Sequence, residues 1–460
     1  MIMNIPENLI EKYNKPLPRY TSYPPANFFG SDFDDARFRA MIAESNSQQP
    51  QNISLYFHIP FCPQLCYYCG CNSFISNDNA LKTKYINALK SEIRMMRPLL
   101  NRSRKVSQIH WGGGTPNALS IHHVEEVMEL VSEFFSFVDN PEIAMECAPA
   151  YLDSEYLEQL LAMKFNRISL GIQDFSPQVL KTVNREPSKI PISVLIGQIR
   201  ESAQAKINLD FIYGLPKQTT VSFAQTIAQA LQFQPDRLVT FSYAHLPGVK
   251  KSQALLEKSG LPTPSEKLEM FTSARRLIEA AGYAAIGLDH FAKKTDELAI
   301  ALHNKQLHRN FQGYCTRETT GQVVALGTTA ISQFENGYAQ NTKDVEHYIE
   351  AISNGRFAAE RGYRLSGEQQ IIRRVIQEIM CNRFVAWPQL STDMGISVEE
   401  IMQATKFEKS SLDEFISDNL VEVGENYISV TETGSFFIRN IAALFDPAVK
   451  KVGKVFSKTI

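Results

Sequence analysis

Short apolar runs alternate with amphipathic segments along the first three hundred residues of the chain. The apolar runs lie at 53–60, 105–111, 142–149, 167–175, 207–216, 237–247 and 282–292, and each has the length and composition of a strand. The segments between them carry apolar residues at helical spacing, at 79–100, 120–137, 153–164, 190–205, 221–233 and 265–281. This alternation predicts parallel strands joined by right-handed crossovers. Because seven strands are fewer than a closed barrel needs, the pattern predicts an α/β fold, an incomplete, open TIM-like parallel barrel.

The pattern changes after about residue 355. Helical periodicity continues at 368–380, 397–405 and 409–419, and is followed by a hairpin at 420–431 and a helix at 432–444. Helices followed by a hairpin predict a smaller, mostly helical, winged-helix-like C-terminal domain at 356–460. The tyrosine- and proline-rich residues 1–35 predict an N-terminal arm that packs near the active site. Residues 36–355 then form the catalytic domain.

Composition and charge exclude several classes of function. The net charge is −2, from 47 basic and 49 acidic residues, so no global field favours nucleic acid or an anionic membrane. The only concentrated basic stretch is the short tail 447–458. No apolar stretch approaches 18 residues, and the N-terminus has no secretory pattern. We therefore expect a cytoplasmic protein without a nucleic-acid partner or a membrane span.

Four of the seven cysteines lie within ten residues, in 61-FCPQLCYYCGCN-72, here called the cysteine loop. The loop follows a predicted strand, at the end of the sheet where α/β folds place their chemistry. A disulfide is unfavourable in a cytoplasmic chain, and a structural zinc site normally has a second, distant pair of ligands. Thiolates grouped on one compact loop favour an iron–sulfur cluster.

Polar residues follow the other predicted strands. Three glycines, at 112–114, allow a ligand to approach the backbone closely. Glu146, Gln173 and Asp210 lie where acceptors for ribose hydroxyls would lie, and Arg185 could hold a carboxylate bidentately. Each residue alone is equally typical of a solvated surface. Together, at successive strand ends, they indicate a rim that binds polyol and amino-acid groups.

The spacing C-x3-C-x2-C with an aromatic residue before the last cysteine resembles the signature of the radical S-adenosylmethionine enzymes. The resemblance implies that Cys62, Cys66 and Cys69 bind three irons of a [4Fe–4S] cluster. The fourth iron is then left for the amino and carboxylate groups of S-adenosylmethionine. Cys71 is left over, and we expect it in the wall of the substrate cavity as a candidate catalytic residue.

Longer colinear segments resemble the oxygen-independent coproporphyrinogen III oxidases. They include PRYTSYPP at 18–25, YFHIPFC at 56–62, QIHWGGGTP at 108–116, GIQDF at 171–175, DFIYGLPKQT at 210–219, YAHLP at 243–247, LDHFA at 288–292 and LHRNFQGY at 307–314. The resemblance implies contacts with one or two S-adenosylmethionine molecules at Tyr56, Tyr68, Gly113, Gly114, Thr115, Glu146, Gln173, Arg185, Asp210, Ala244 and Ile331. The chain departs from the family pattern at Ala148 and Ala150, where charged residues are common.

The resemblance also implies an activity. A 5′-deoxyadenosyl radical abstracts a hydrogen from the β-carbon of a propionate, and loss of carbon dioxide and one electron leaves a vinyl group. Two rounds convert coproporphyrinogen III to protoporphyrinogen IX, with an electron donor such as a flavodoxin or a ferredoxin and with the enzyme as a monomer. Candidate cations for the substrate carboxylates are Arg19, Lys217, Arg309, His58, His245 and His290.

Two related functions remain open from the sequence. A haem chaperone would keep the cysteine motif without oxidising a porphyrinogen. A haem-modifying radical methyltransferase would share the cluster and the cofactor. Cys71 and the segments at 18–25 and 308–314 resemble the oxidases instead.

Overall fold

The computed structural model describes residues 6–316, 322–449 and Phe456. The strands are β1 (Ile53–Ile59), β2 (Phe61–Cys62), β3 (Phe74–Ile75), β4 (Val106–Gly113), β5 (Phe137–Cys147), β6 (Arg167–Gln173), β7 (Lys206–Tyr213), β8 (Arg237–Ser242), β9 (Tyr283–Ala285), β10 (His290–Lys293), β11 (Leu307–Arg309), β12 (Tyr314–Thr316), β13 (Gln322–Leu326), β14 (Ile331–Phe334), β15 (Gly337–Asn341), β16 (Ala359–Arg364), β17 (Phe384–Ala386), β18 (Val421–Val423) and β19 (Tyr427–Val430).

The helices are α1 (Glu7–Tyr13), α2 (Asp35–Ser45), α3 (Asn79–Met96), α4 (Ile121–Phe134), α5 (Ser154–Ala162), α6 (Pro177–Thr182), α7 (Ile192–Glu201), α8 (Thr220–Gln232), α9 (Ala254–Glu257), α10 (Pro264–Ala280), α11 (Glu297–His303), α12 (Val345–Ser353), α13 (Gly367–Gln377), α14 (Trp387–Met394), α15 (Val398–Thr405), α16 (Asp413–Ser417) and α17 (Ile438–Ala443). Helix α13 runs directly into one turn of π-helix at Glu378–Asn382.

A mixed sheet with the order β16-β15-β14-β13-β1-β4-β5-β6-β7-β8-β10-β9 forms the centre of the molecule. The seven consecutive strands from β13 to β8 are parallel, and those at both ends are antiparallel. The end strands β16 and β9 do not pair with each other, so the predicted open, incomplete barrel is confirmed. The carboxyl ends of the parallel strands therefore meet along one edge of the sheet.

Within the parallel part of the sheet, two strands differ from the sequence prediction. The run at 282–292 is not a parallel strand. It turns after Ala285 and returns as β10, which pairs antiparallel with both β9 and β8. A crossover helix would be needed for a parallel return, and the four residues at 286–289 leave no room for one. The seventh parallel strand is instead β13, which pairs with β1 at its other side and was not predicted.

The core explains why these segments form these elements. Strand β1 is buried at every position except Tyr56, as expected for a central parallel strand covered on both faces. Phe57, Trp111 and Leu209 of the sheet belong to one large apolar cluster that includes Leu89 of α3. The Asp78 side chain caps the N-terminus of α3, where it accepts hydrogen bonds from the backbone N–H groups of residues 80 and 81.

A buried ion network joins the amino ends of the parallel strands. The Nε atom of Arg167 lies 2.6 Å from an oxygen of Glu142, and Arg237 donates to Asp296 at 3.0 Å and to Glu297 at 2.8 Å. Asp296 has a side chain that is 2% exposed. The network therefore joins β5, β6 and β8 to the start of α11, at the opposite end from the cysteine loop.

The C-terminal segment combines helices with a small antiparallel sheet of order β17-β19-β18. The predicted hairpin forms from β18 and β19, and β17 is a third strand that the pattern missed. The predicted helix at 432–444 is wrong in its first half, which is a 3-10 turn at Gly434–Phe437, and the α-helix begins only at Ile438. A Cβ atom at Gly434 would lie 1.9 Å from the carbonyl oxygen of Leu420, so no side chain fits at this position.

The N-terminal arm packs on this C-terminal segment. Tyr13, Tyr20 and Tyr23 are buried in the same apolar cluster as Trp387 and Phe437. The domain boundaries at 35 and 355 remain predictions, and the central sheet itself continues through β16 to residue 364. Most of the basic tail at 447–458 lies outside the described residues. No helix in the described ranges has the length and apolarity needed to cross a membrane.

Candidate active site

The cysteine loop leaves the carboxyl end of β1 and is held in place by contacts from two other segments, around residue 183 and at residues 250–253. The backbone N–H of Tyr67 donates to the carbonyl of Val183 at 2.9 Å. The Gln253 side chain donates to the carbonyl of Tyr68 at 3.0 Å, and the Lys250 ammonium donates to the carbonyl of Cys71 at 2.6 Å. The loop is thus fixed by its backbone, which leaves its thiols available for binding.

Each of the three predicted ligands has a hydrogen-bond donor beside its sulfur. The Thr115 hydroxyl donates to Cys62 Sγ at 3.3 Å. The Arg185 guanidinium lies 3.8 Å from Cys66 Sγ. The backbone N–H of Cys71 donates to Cys69 Sγ at 3.4 Å. Donors of this kind favour the thiolate over the thiol, and hydrogen bonds to the sulfurs tune the potential of an iron–sulfur cluster.

The fourth thiol is coupled to the third. A hydrogen bond with the Cys71 side chain lowers the pKa of Cys69 to about 6, against the opposing effect of burial. The same interaction raises the pKa of Cys71 well above its ordinary value. The backbone N–H of Cys71 also donates to Cys69 Sγ, so the donors around this pair favour the thiolate at Cys69.

The donor set of the cysteine loop fits a cubane cluster. Among the described residues, no three His, Cys, Asp or Glu side chains converge closely enough to hold one metal ion. Cubane ligands bind separate irons, so they need not converge on one point. Three thiols with adjacent donors on one fixed loop have the chemistry that such a cluster needs.

A cavity of about 600 Å³ opens at this edge of the sheet and brings most of the predicted residues together. It is lined by Cys62, Cys66, Cys69, Cys71, Tyr68, Gly113, Gly114, Thr115, Glu146, Gln173, Arg185, Asp210 and Ala244. Two predicted residues are not part of its lining. The Tyr56 hydroxyl lies 3.2 Å from His58 Nδ1, and Ile331 packs against an apolar cluster with Phe29 and Tyr338.

The glycines at the end of β4 are required by close packing. A Cβ atom at Gly114 would lie 2.6 Å from the carbonyl oxygen of Pro60, at the start of the cysteine loop. Gly113 has φ +113°, and a Cβ there would lie 2.7 Å from the ring of His58. The backbone of β4 thus lies directly against the loop, where no side chain fits.

Two carboxylates face the cavity in different surroundings. Glu146 accepts from His110 Nε2 at 2.9 Å and from the backbone N–H of Gly113 at 3.3 Å. Asp210 accepts from the Ser169 hydroxyl at 2.7 Å and from the Asn208 amide at 2.9 Å. Burial raises the pKa of Asp210 to about 7 despite these donors. Both groups are acceptors placed for the hydroxyls of a bound ligand.

Arg185 links the cysteine loop to the end of β6. Its Nη2 donates to the carbonyl of Gly171 at 2.7 Å, in addition to the contact of Nη1 with Cys66. Gln173 follows a register irregularity in β6 and has φ +68°, an uncommon conformation for a residue with a side chain. Backbone conformations of this kind cluster at ligand-binding sites, and Gln173 lies in the cavity wall.

The candidate cations for the substrate separate into two groups. His290 lines the cavity, whereas Arg19, Lys217, Arg309, His58 and His245 are not in its lining. His58 has both ring nitrogens within 3.2 Å of partners inside the fold, namely Tyr56, the carbonyl of Asn72 and Thr329. Burial lowers the pKa of His58 to about 4, so it remains neutral and has a structural role.

Sequence reasoning missed several residues that shape the site. His110, Ser169 and Asn208 hydrogen-bond the two carboxylates, and Lys250 and Gln253 hold the cysteine loop. The alternation along β7 that places Asn208 beside Asp210 is a signal that could have identified Asn208. The contacts of Lys250 and Gln253 span about 180 residues, and no local pattern reports them.

The departures at Ala148 and Ala150 also face the cavity. The backbone N–H and carbonyl of Ala148 are both bound by the Asn117 side chain, at 2.9 and 3.0 Å. Ala148 is therefore fixed by its backbone, and the methyl groups of Ala148 and Ala150 leave this part of the wall apolar.

Comparison with known proteins agrees with this geometry. Residues 56–230 match the family model of the radical SAM superfamily. The chain is 37% identical over 98% of its length to oxygen-independent coproporphyrinogen III oxidase of a Synechocystis strain, covering 97% of that protein, and 39% identical over 98% of both chains to the protein of the same name from Salmonella typhimurium.

A solved structure has the same fold throughout. Coproporphyrinogen III oxidase from Escherichia coli, described as a radical SAM enzyme, superposes with a TM-score of 0.89 and 37% identity, covering 97% of this chain and 100% of that one. Similarity of this extent includes the cysteine loop, the strand ends and the C-terminal segment. The chain belongs to the oxygen-independent coproporphyrinogen III oxidase family, within the radical SAM superfamily.

Proposed function

We propose that this protein decarboxylates two propionate side chains of coproporphyrinogen III to vinyl groups and releases protoporphyrinogen IX. The observation that supports this most directly is the cavity at the edge of the sheet, where three thiols with adjacent donors share one space with Glu146 and Asp210. The cluster and S-adenosylmethionine supply a 5′-deoxyadenosyl radical when bound. The protein's own residues bind, orient and shield the reactants.

Different residues of the cavity have different proposed roles in binding the cluster and the cofactor. Cys62, Cys66 and Cys69 are proposed as the ligands of one [4Fe–4S] cluster. Arg185 is proposed to hold the carboxylate of S-adenosylmethionine, and the contact of its guanidinium with Cys66 Sγ supports this. Glu146 and Asp210 are acceptors for hydroxyl groups.

The remaining proposed contacts are Tyr56, Tyr68, Gly113, Gly114, Thr115, Gln173, Ala244 and Ile331. Equilibrium binding would determine whether one or two S-adenosylmethionine molecules are held.

The reaction also needs an electron from outside the chain. We propose a small donor such as a flavodoxin or a ferredoxin. We also propose a cytoplasmic location, which agrees with seven free cysteines, and a monomeric state. Light scattering of the purified protein tests the monomer.

The proposed activity is tested with anaerobically reconstituted protein, coproporphyrinogen III, S-adenosylmethionine and a reductant. We expect about four irons per chain, as for one cubane, and a product that has lost two molecules of carbon dioxide. Cys66→Ser is the control, and it should contain no cluster and form no product. Zinc in place of iron, a methylated product, or haem binding without decarboxylation would each contradict the proposal.

A further inference from the structure

An aspartate–histidine pair forms part of the cavity wall at the start of β10. The Nδ1 atom of His290 lies 2.7 Å from Asp289 Oδ1. Asp289 is 4% exposed, and its other oxygen accepts from Arg19 of the N-terminal arm at 3.1 Å. Burial would raise the pKa of Asp289, but His290, Arg309 and Arg19 together lower it below its ordinary value. Asp289 is thus an ionised acceptor that holds one imidazole proton on Nδ1, so a proton carried on Nε2 is available to a ligand as a donor.

The other ring nitrogen of His290 is available to a ligand. Among the residues that the structure describes, Nε2 has no hydrogen-bond partner, and the side chain lines the cavity. Phe241 and Tyr314 contact the ring edge-on, with centroids 6.0 and 5.1 Å away, and fix its plane. Gly313 leaves space beside Nε2, since even a Cβ there would lie 3.8 Å away.

A further cation, Arg309, lies beside the aspartate–histidine pair. The guanidinium of Arg309 lies over the ring of Tyr314, 4.5 Å from its centroid. Its Nε and Nη1 atoms are buried and have no hydrogen-bond partner within the described ranges. A buried cation is costly unless an anion compensates it. Two arginines and an imidazole around the single carboxylate of Asp289 leave this wall positive, so it favours an anionic ligand group.

We propose that His290, through Nε2, binds one of the two carboxylates of the porphyrinogen that do not react, and that Arg309 supplies positive potential beside it. This inference rests on the proposed function and assigns a residue to substrate positioning. In the order of the sheet, β10 lies six strands from β1, which carries the cysteine loop. A carboxylate bound at His290 therefore sets which edge of the macrocycle faces that loop.

The test compares His290→Phe with wild type and with His303→Phe, a matched change at an exposed histidine of α11. Phenylalanine keeps a ring between Phe241 and Tyr314 but removes both nitrogens. We expect the KM for coproporphyrinogen III to rise about tenfold or more, as for a lost charge-assisted hydrogen bond. We expect kcat, iron content and affinity for S-adenosylmethionine to change less than about twofold, and His303→Phe to match wild type. An unchanged KM in His290→Phe would overturn the inference.

Two substrate analogues, each with an ethyl group in place of one non-reacting propionate, make the test independent of how the variant folds. With wild type, one analogue should show a KM raised about tenfold or more, and His290→Phe should not raise that KM further. The inference would be overturned if wild type showed the same KM for both analogues as for the natural substrate. It would also be overturned if the analogue and His290→Phe each raised KM and their combined effect were the product of the two separate effects. A wild type that never decarboxylates coproporphyrinogen III would instead refute the proposed function, and this inference with it.

Discussion

Cys71 differs from the other three thiols of the cysteine loop in its exposure and in its role as a donor. Cys71 is the exposed one of the four, and its backbone N–H and its thiol both hydrogen-bond to Cys69. A cubane bound by Cys62, Cys66 and Cys69 needs its remaining iron free for S-adenosylmethionine. Since Cys71 also lines the cavity, we propose that it acts on the substrate side.

The prediction for Cys71→Ser follows from this arrangement. Serine keeps the backbone N–H that bonds Cys69 and a short polar side chain, so iron content and S-adenosylmethionine affinity should stay near wild type. Porphyrinogen turnover should fall. Cys62→Ser, Cys66→Ser and Cys69→Ser should each lose both cluster and turnover. Iron analysis and turnover of the four variants check this, and loss of iron in Cys71→Ser would show that the fourth thiol is a ligand.

Arg185 should act on the cofactor more than on the cluster. Removing a charge-assisted hydrogen bond to a carboxylate costs about 1.5–3 kcal/mol. Arg185→Ala should therefore weaken S-adenosylmethionine binding roughly tenfold or more, whereas the three thiols keep the iron. Equilibrium binding measures this, and Arg102→Ala, at an exposed arginine, is the control. Unchanged affinity would leave Arg185 with a structural role only, through its bond to the carbonyl of Gly171.

Among the elements, β4 and the cysteine loop depend on each other through backbone contact. The backbone N–H of Gly114 donates to the carbonyl of Ile59 at 2.7 Å, and that of Thr115 donates to the carbonyl of Phe61 at 2.9 Å. These bonds place the end of β4 against the end of β1 and the start of β2. The position of the first ligand thus depends on a neighbouring strand that is distant in sequence.

Gly114→Ala should separate these two elements. The new methyl group would lie 2.6 Å from a backbone oxygen, which cannot rotate away, so we expect about 1–3 kcal/mol of lost stability and reduced iron content. Gly197→Ala is the matched control, because nothing lies within 4 Å of a Cβ at that position in α7. It should keep full iron content and a slightly raised melting temperature. Thermal unfolding and iron analysis check both, and normal iron in Gly114→Ala would contradict the prediction.

At the scale of the whole molecule, the sheet is held together at both ends by charge. The ion network at the amino ends joins three strands to α11, and Arg19 joins the N-terminal arm to the cavity wall through Asp289. Burial would raise the pKa values of Glu142 and Asp296, but Arg167 and Arg237 lower both below their ordinary values. Carboxylates with lowered pKa values stabilise the fold above the unfolded-state pKa, and this stabilisation is lost as the pH falls.

Stability should therefore decrease below about pH 4–5, where the unfolded carboxylates begin to bind protons. Asp296→Asn should cost about 3–5 kcal/mol at pH 7, because two buried arginines lose a counter-charge, and its unfolding free energy should depend less on pH. Asparagine still caps α11, so the change isolates the charge. Asp34→Asn, at the exposed cap of α2, is the control. Urea unfolding between pH 4 and pH 7 checks this, and equal pH slopes for wild type and Asp296→Asn would contradict it.

The sequence alone determined the features that depend on local spacing. The cysteine loop and the alternation of strands and helices can be recognised in the sequence, because each is defined by residue spacing over a short distance. Those patterns identified part of the lining of the cavity, including Glu146 and Asp210, since residues at successive parallel strand ends must meet at one edge.

Only the tertiary structure decided the features that depend on distant partners. Strand β13 pairs beside β1 across about 270 residues, and the turn before β10 reverses a run that looked continuous. The contacts of Lys250 with Cys71 and of Arg19 with Asp289 join segments far apart in the chain. These contacts are stable because of burial and charge in the folded molecule. A local sequence pattern does not identify the distant residue that makes each contact.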